Sequence, residues 1–552
     1  MSDEAVHGSL GRWGRPLLVA VLLVGALLRL GAIQHHRSLD YDEGRYLDNA
    51  ANIMKGRGLA THYTSHFFRE APPLHAEDIS SPLYPYLLAG TFQLTGVEPR
   101  AAQLWSLFAG CLMIALTFVL GRRLFDERTA LLASILVALN PDSVIMSSWS
   151  MTEMLYGAMV LGILLLADGN GIASLSLTRA AALGGACGLL YLTRANGLSV
   201  AAAMGLVALV QRRPAAAAGL VLAFLAVVSP WLARNQRVFG SPTWSAMKHV
   251  AWSQSGRDLF TRGGEPPSAA RFLREHGSAA LVKNVVHRGW RAARHLVWGD
   301  TGAYNFLCAL YPFALLAHWR QRRLLPGHLC ILMTTLLLAG VPTWTGALSR
   351  YLTPVRPFMY LCVIGAAMHI VPEMIWRRNL RRASGPPRPA GPPPAYAMTT
   401  EPVRRQTAMA LATLVAVIAL VSTHPLRAYL ATDDMARDVL GNEAARWIAA
   451  ETPADAVLME GAWIHQYAYL FDRPVVWVPA GSLDDVRDAA SDYGARYLVI
   501  SRDLLRFHPE LRPHFEETEE GIRGVDLPEG FREVFAGAGR RVVIWEIREV
   551  NA

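Results

Sequence analysis

The stretch Ala101 to Leu120 reads AAQLWSLFAGCLMIALTFVL, twenty consecutive residues without a charged side chain. At a rise of about 1.5 Å per residue, a helix of this length spans the roughly 30 Å hydrocarbon core of a bilayer. It leads into the short basic loop Gly121 to Arg128 (GRRLFDER), and Arg-rich loops of this kind are typical of the cytoplasmic side. We therefore interpret Ala101 to Leu120 as a transmembrane helix whose C-terminal end is cytoplasmic.

Apolar segments continue on both sides of this helix. The first, Pro16 to Ile33, follows Arg12 and Arg15 and lacks a small-residue cleavage site, so we expect an uncleaved signal anchor with a cytoplasmic N-terminus. The remaining Arg-dense connections then fall on the cytoplasmic side as well. The predicted spans are 16–33, 101–120, 129–147, 152–167, 180–193, 196–211, 215–233, 302–319, 328–345, 351–371 and 407–423. The sequence thus predicts a polytopic α-helical membrane protein with about 11 transmembrane helices.

Composition supports a membrane protein and argues against both a disordered chain and a nucleic-acid-binding protein. Of the 552 residues, 52% are hydrophobic and 18% charged, which excludes a disordered chain. The net charge of +9 is unevenly distributed: residues 431–552 hold 13 Arg and 23 Asp or Glu, whereas residues 1–430 hold 40 basic and 21 acidic residues. The basic residues therefore belong to the membrane part, where they set orientation, and we expect no nucleic acid as a partner.

The pattern changes beyond residue 431, where continuous apolar runs give way to alternating helix and strand. An amphipathic helix is predicted at Met435–Ala450, and strands are predicted at 456–459, 475–478, 496–500 and 541–547. With a cytoplasmic N-terminus, an odd number of membrane crossings places the residues beyond 431 on the external side. We predict a transmembrane core at 1–430, with external loops at about 34–100 and 234–301, and a small external α/β domain at 431–552. Segment 384–394, rich in Gly and Pro, is predicted to be an extended linker.

The unusual polar residues all fall on the predicted external side. Asp42 and Glu43 follow the first span, and Glu153 opens a later one. Three arginines, Arg194, Arg234 and Arg350, lie at the external ends of other spans, against the usual cytoplasmic bias of Arg. Arg binds phosphate through two parallel hydrogen bonds, and a carboxylate accepts a proton from a hydroxyl nucleophile. This combination indicates a site for an anionic, membrane-embedded substrate.

Six motifs in this order resemble those of the GT-C superfamily of glycosyltransferases. Within it, the chain is most similar to the bacterial members related to protein O-mannosyltransferases and to the lipid A aminoarabinose transferase. The resemblance covers about residues 10–375. The motifs are Asp42-Glu43-Gly44-Arg45-Tyr46, Ser81-Pro82-Leu83-Tyr84-Pro85-Tyr86, Met151-Thr152-Glu153, Leu192-Thr193-Arg194, Pro230-Trp231-Leu232-Ala233-Arg234-Asn235 and Arg350-Tyr351-Leu352-Thr353-Pro354.

This resemblance implies transfer of a sugar from a polyprenyl-phosphate donor to an acceptor hydroxyl, with inversion, on the external side of the cytoplasmic (inner) membrane. The acceptor is a protein, a lipid or a glycan. Asp42 is the implied general base or orienting residue, Glu43 its neighbour and Glu153 the second acidic position. Substrate-binding roles are implied for the residues Tyr46, Arg194, Arg234, Arg350 and Tyr351, the arginines neutralising the departing phosphate.

The chain departs from the related enzymes before the motif Pro82-Leu83-Tyr84. Related enzymes often carry His or Glu-Lys there, and some use the acidic residue as a metal ligand, whereas this chain has Ile79-Ser80-Ser81. A divalent metal ion is compatible with the resemblance, but the sequence identifies no ligands. The nearby candidates, which show no tight ligand spacing, are His62, His66, His75, Glu77, Asp78, His249, His276, His287 and His295.

Plainer interpretations remain beside the catalytic one. The acidic pair Asp42 and Glu43 could cap a helix, Glu153 could stabilise a helix dipole, and the three arginines could bind lipid head groups. For the whole protein, the alternative function is a transporter or flippase of an anionic lipid or solute. That class predicts an internal repeat, and the sequence contains none. A non-catalytic scaffold with an external binding domain is the third possibility.

Overall fold

The computed structural model describes residues 10–548 apart from 37–38, 40, 65, 68, 70, 168–175, 256, 299–305, 320, 340–347, 371, 375–395, 432–442 and 463. The predicted linker 384–394 therefore lies outside the described residues. So do parts of the predicted spans 302–319 and 328–345 and the start of the predicted helix 435–450.

Helices dominate residues 10–431. They are α1 (Gly14–His35), α2 (Tyr41–Met54), α3 (Leu83–Thr95), α4 (Pro99–Leu124), α5 (Glu127–Leu139), α6 (Pro141–Met146), α7 (Glu153–Ala167), α8 (Leu177–Thr193), α9 (Gly197–Val210), α10 (Pro214–Phe239), α11 (Met247–Val250), α12 (Arg257–Phe260), α13 (Ala269–Trp298), α14 (Phe306–Ala309), α15 (Tyr311–His318), α16 (Leu325–Ala339), α17 (Leu348–Leu352), α18 (Arg356–Gly365) and α19 (Tyr396–Ala431).

Four helical segments of the described chain are long and apolar enough to cross a membrane. They are Gly11–His35, Pro99–Leu124, Pro214–Phe239 and Arg350–Met374. Shorter apolar helices cover Glu153–Ala167, Gly197–Val210 and Gln406–Ile418. The central helix is α4, the one predicted from Ala101–Leu120, and it packs against α1, α5 and α7. Several of the predicted spans thus fold as helices shorter than a bilayer is thick.

One predicted span, 129–147, is interrupted. Helix α5 ends at Leu139 and α6 begins at Pro141, because Asn140 adopts an extended conformation (φ −64°, ψ 120°). Proline disfavours helical geometry in the residue before it and is itself favourable at the first position of a helix. The Asn140 side chain then caps α6 by accepting a hydrogen bond from the Ser143 amide.

A buried arginine fixes the end of α1. Arg29 is fully buried in the bundle, where its guanidinium donates to Ser147 Oγ (3.0 Å) and to the backbone carbonyls of Gly25 (3.0 Å) and Ala138 (3.1 Å). A buried charge is tolerated when its hydrogen bonds are satisfied in this way. Arg29 therefore ties α1 to the end of α5 and to the turn after α6.

The first long loop, between α1 and α4, contains α2, α3 and three short strands. The strands are β1 (Ala60–Thr61), β2 (Tyr63–Thr64) and β3 (His75–Ala76), and β1 pairs with β3 in antiparallel register. Helix α2 follows α1 almost directly and packs on α3. The second long loop, between α10 and α14, contains α11, α12 and α13.

In the C-terminal part, helices alternate with the strands of a mixed parallel and antiparallel sheet. Its elements are α20 (Glu443–Glu451), β4 (Val457–Glu460), α21 (Ile464–Phe471), β5 (Val475–Trp477), α22 (Leu483–Tyr493), β6 (Ala495–Ser501), α23 (Arg502–Phe507), β7 (Phe515–Thr518), β8 (Gly521–Gly524), β9 (Phe531–Ala536) and β10 (Val542–Ile547). The four predicted strands match β4, β5, β6 and β10. The structure adds β7 (FEET), β8 (GIRG) and β9 (FREVFA), whose sequences mix apolar with charged residues and so carry a weak strand pattern.

The main sheet crosses the predicted division at residue 430. Its strand order is β2-β5-β4-β6-β10-β9, so its edge strand β2 comes from the first long loop. Tyr63 and Thr64 of β2 pair in parallel with Val475 and Val476 of β5. The first long loop and the C-terminal part therefore share one hydrogen-bonded sheet.

Candidate active site

Asp42 lies in the first turn of α2, between two guanidinium groups. Its Oδ1 accepts a hydrogen bond from Arg45, one turn further along the same helix face, at 2.5 Å. Its Oδ2 accepts a hydrogen bond from Arg350 of α17. The Asp42 side chain is only 14% exposed. One cation from the same helix and one from 308 residues further along the chain thus hold this carboxylate.

Glu153 begins α7 and pairs with Arg194, the residue that follows α8. Arg194 lies 2.7 Å from Glu153 Oε1 and also donates to Thr152 Oγ1 at 2.7 Å. Nε of Arg350 lies 3.7 Å from the same Glu153 oxygen. Arg350 therefore stands between the carboxylates of Asp42 and Glu153 and joins the two ion pairs into one cluster.

Two tyrosines line this cluster. The Tyr351 ring lies beside both guanidinium groups, 4.6 Å from that of Arg194 and 5.2 Å from that of Arg350. The Tyr46 ring is buried beneath Arg45, at 5.6 Å, and packs edge-on against Tyr84 at 5.3 Å. Cations on aromatic faces are attracted by the ring quadrupole. The rings thus fix the arginines without neutralising their charge.

Glu43 is directed away from this cluster although it is adjacent to Asp42. Its carboxylate contacts His36 Nε2 at 2.8 Å and accepts the Ser150 amide at 2.5 Å, in a fully buried position. The His36 ring stacks on Trp149 with a centroid distance of 5.9 Å. Glu43 therefore joins the end of α1 to the turn before α7, and so holds Asp42 and Glu153 in register.

Arg234 has different partners from the other two arginines. It donates to the backbone carbonyls of Glu77 (2.9 Å) and Leu59 (3.3 Å), and its guanidinium lies between the rings of Trp231 and Phe239, 4.8 Å from each. In the described contacts it anchors the first long loop to α10. The structure thus brings together all the sequence-predicted site residues except Glu43, whose carboxylate is bound elsewhere, and Arg234.

Burial and charge act in opposite directions on Asp42. Burial raises the pKa of the Asp42 carboxyl, but the positive charges of Arg45 and Arg350 lower it more, and the resulting pKa is well below its ordinary value. Asp42 is therefore ionised at neutral pH. In this arrangement it is also a weak base, because both guanidinium groups would have to lose a partner when it takes up a proton.

Sequence reasoning missed the contribution of the C-terminal part. The backbone of His465 in α21 lies directly against Gly44 of α2, and Gln466 Nε2 donates to the Leu39 carbonyl at 2.9 Å. The His465 ring packs on Tyr63 at 4.0 Å. Burial lowers the pKa of His465 well below its ordinary value, so this imidazole is neutral at pH 7. Gly44, unfavourable in the middle of a helix, was the available signal of a close backbone approach.

The candidate metal ligands lie in separate pairs. His62 contacts Asp48 at 2.7 Å and His66 contacts Asp78 at 3.3 Å, whereas Glu77 accepts two backbone amides. Within the described residues, no three His, Cys, Asp or Glu side chains are grouped to hold a metal ion. The described residues therefore do not fit a metal centre held by three or more such protein ligands.

The comparisons with known proteins address the fold and the class of enzyme. Residues 79–233 match the family model described as dolichyl-phosphate-mannose-protein mannosyltransferase. ArnT from Cupriavidus metallidurans, in a crystal structure bound to undecaprenyl phosphate, is 16% identical, covers 98% of each chain and superposes with a TM-score of 0.57. The chain has the GT-C fold of membrane glycosyltransferases. The predicted fold class is thereby confirmed, and the family model over residues 79–233 supports the predicted superfamily and glycosyltransferase activity.

Two archaeal structures share this GT-C fold at lower similarity. The apo oligosaccharyltransferase from Archaeoglobus fulgidus is 12% identical, with a TM-score of 0.53 over 94% of this chain and 75% of that chain. AglB from the same organism, in complex with an inhibitory peptide and a dolichol-phosphate, is 12% identical, with a TM-score of 0.52 over 94% and 76%. No curated protein sequence matches the chain significantly.

Proposed function

We propose that this GT-C glycosyltransferase transfers a monosaccharide from a polyprenyl-phosphate donor to an acceptor hydroxyl, with inversion, at the end of the bundle where Asp42 lies. The observation that carries the proposal is Arg350, which joins the carboxylates of Asp42 and Glu153 in one buried cluster. ArnT, which has this fold, was crystallised with undecaprenyl phosphate, and the AglB structure is a complex with a dolichol-phosphate, which supports a lipid-phosphate donor.

Arg350 and Arg194 are placed to hold the donor phosphate. Breaking the bond between the sugar and its phosphate leaves negative charge on the phosphate oxygens. Fixed guanidinium groups in a partly dehydrated site stabilise that charge without having to reorganise. Tyr351 keeps both groups oriented, and Glu153 keeps Arg194 in place. Phosphate is already a good leaving group, so this clamp needs no general acid beside it.

Asp42 becomes a stronger base when the donor arrives. A phosphate bound by Arg350 competes with Asp42 for the same guanidinium, and loss of that cation raises the proton affinity of the carboxylate. Asp42 then accepts the proton of the acceptor hydroxyl. The acceptor oxygen bonds to the anomeric carbon on the face opposite to the breaking bond between carbon and phosphate oxygen, which inverts the configuration. Donor binding and activation of the base are thus coupled through Arg350.

The remaining predicted site residues support this arrangement. Glu43 positions Asp42 relative to α7, and Tyr46 supports Arg45. Arg234 is proposed to hold the first long loop rather than the phosphate, because its donors are already directed at backbone carbonyls. No contact in the described residues favours the transporter or flippase alternative. The inner membrane, the cytoplasmic N-terminus and the external placement of the site belong to the same proposal.

The test is release of polyprenyl phosphate in reconstituted vesicles. The purified protein is given a panel of polyprenyl-phosphate monosaccharides together with membranes from a strain that lacks it, and mass spectrometry follows both the free lipid phosphate and the modified acceptor. We expect Asp42→Asn to lower the transfer rate by about 100-fold or more, the typical contribution of a general base. Asp484→Asn, also in the first turn of a helix but exposed, is the matched control. Wild-type transfer by a folded Asp42→Asn protein would exclude this role.

A further inference from the structure

The second long loop contains a helix whose surface is divided into three faces. Helix α13 is broken at Gly277, which has a left-handed backbone (φ 76°), and continues from Ser278 to Trp298. With 3.6 residues per turn, each residue is rotated by about 100° from the one before. On this projection the side chains of residues 278–296 separate into a buried, an apolar exposed and a basic face.

The buried face packs on the bundle. Ala292 and Leu296 are buried, and α13 packs against α16 and α17. The His295 carbonyl accepts a hydrogen bond from Arg356 at 2.8 Å. Arg356 lies six residues into the segment Arg350–Met374, or roughly 10 Å along it. This contact places the C-terminal turns of α13 beside the first turns of that candidate membrane-spanning segment.

The apolar exposed face is a regular stripe. Val282, Val286 and Trp290 are spaced four residues apart, fall within an arc of about 80°, and are 63%, 67% and 69% exposed. No described residue covers them. Three large apolar side chains in one row on the surface mark an interaction site rather than ordinary scatter.

The basic face lies directly beside this stripe. Lys283, His287, Arg291 and Arg294 occupy the next arc of about 80°, and the sequence from His276 to Trp298 contains no acidic residue. None of the three permanently charged residues forms an ion pair within the described part of the chain. The first half of α13 differs sharply, since Arg271 pairs with Glu275 at 2.9 Å and Arg274 with Glu265 at 2.6 Å.

We propose that Ser278–Trp298 is an interfacial helix that binds the anionic phospholipids of the membrane. Val282, Val286 and Trp290 enter the acyl chain region, whereas Lys283, Arg291 and Arg294 contact the phosphate groups. A charged face beside an apolar face is the arrangement of helices that lie in a membrane interface, and each basic residue near an anionic surface gives about a fivefold preference. The proposal concerns ordinary membrane lipid and does not depend on the donor proposed above.

The first test measures which lipids the full-length protein retains. Wild-type protein is extracted from vesicles of equal parts phosphatidylglycerol and phosphatidylcholine, and bound lipids are counted by native mass spectrometry. We expect the triple variant K283Q/R291Q/R294Q to lower the ratio of retained phosphatidylglycerol to phosphatidylcholine at least fivefold. The matched control R262Q/R271Q/R274Q removes the same charge from the same loop, but from arginines that are paired with acids. An equal loss in both variants, or no loss in either, would overturn the proposal.

The second test measures how deep the apolar stripe lies in the bilayer, and it leaves the basic residues unchanged. A nitroxide label is attached at Val286→Cys in a folded background without the five native cysteines, and the protein is reconstituted in the same vesicles. We expect dissolved oxygen, which partitions into the bilayer, to relax this label more strongly than a water-soluble nickel chelate. A label at Glu265→Cys, on the paired and exposed part of the loop, gives the opposite order. Stronger relaxation by nickel at 286 would place the stripe in water and overturn the proposal.

Discussion

Gly44 of α2 and His465 of α21 are in direct backbone contact: a Cβ atom at position 44 would lie 2.7 Å from the carbonyl carbon and oxygen of His465. Helix α2 carries Asp42 and Arg45, so the position of the candidate base depends on how closely the C-terminal part approaches. The same part also receives β2 of the first long loop as a strand of its sheet. It is thus a structural component of the site and not only a cover over it.

Gly44→Ala tests this contact. The added methyl group has rigid backbone in front of it, so we expect a loss of about 1–3 kcal/mol in the free energy of unfolding and a lower transfer rate. Gly90→Ala is the matched control, because a Cβ at Gly90 of α3 meets nothing within 4 Å. Unfolding in detergent with both variants measures the difference. Equal stability of the two variants would contradict the close approach.

Arg45→Gln tests the electrostatics of Asp42. In the wild type, the depressed pKa of Asp42 keeps its carboxylate ionised. The ionised carboxylate therefore contributes fully to stability above pH 3.8, the ordinary pKa, and this contribution is lost as the pH falls below that value. The same ionised form is needed for Asp42 to act as a base. Removal of one cation raises this pKa. We expect the acid limb of the rate profile at low donor concentration to move to higher pH. An unchanged acid limb would show that Asp42 does not control the fall in transfer rate at low pH.

The ion pair between Glu153 and Arg194 is suited to a double-mutant cycle. Arg194→Met leaves a buried carboxylate with only the more distant Arg350, and we expect it to cost about 3 kcal/mol of stability. Glu153→Met with Arg194→Met costs less than the sum of the two single changes, yet transfer stays low because Arg194, one of the two proposed phosphate-binding arginines, is gone. Chemical unfolding and transfer assays separate these effects. The exposed pair of Asp484 and Arg487 gives less than about 1 kcal/mol in the same cycle.

Tyr351 tests the contribution of the aromatic ring. Tyr351→Phe keeps a ring beside both guanidinium groups, so we expect the KM for the donor to remain within about threefold of the wild type. Tyr351→Leu removes an interaction worth about 1–2 kcal/mol in a partly desolvated site, and the KM rises by about tenfold. Steady-state kinetics with varied donor concentration distinguish the two. A similar rise for both variants would assign the effect to the hydroxyl group instead.

Single cysteines test the proposed orientation in the membrane. Thr95 and Glu265 are exposed in the two long loops, and Arg213 is exposed at the opposite end of the bundle. We expect an impermeant maleimide added to intact spheroplasts to label cysteines at 95 and 265, and to label a cysteine at 213 only after lysis. Labelling of the cysteine at 213 before lysis would show that the protein has the opposite orientation in the membrane. A difference between 95 and 265 would contradict their placement at one end.

Much of the candidate site follows from local sequence features. Asp42 and Glu153 are acids at the start of helices next to apolar spans, and Arg194 and Arg350 are arginines on the predicted external side, where arginine is unusual. These are features of composition and position along the chain, and the structure groups all four. The break at Asn140-Pro141 could also have been anticipated, because the preference of a residue before proline is local.

What the sequence alone determined is the class of fold, a bundle of apolar helices followed by a small α/β part, because hydropathy and its period depend on neighbouring residues only. Tertiary structure alone decided which charges meet. Arg234 turns to the carbonyls of Leu59 and Glu77, Glu43 turns to Ser150, and β2 joins a sheet more than 400 residues further along the chain. Ion pairs and strand pairing depend on distance in space, and a run of residues read in order does not specify that distance.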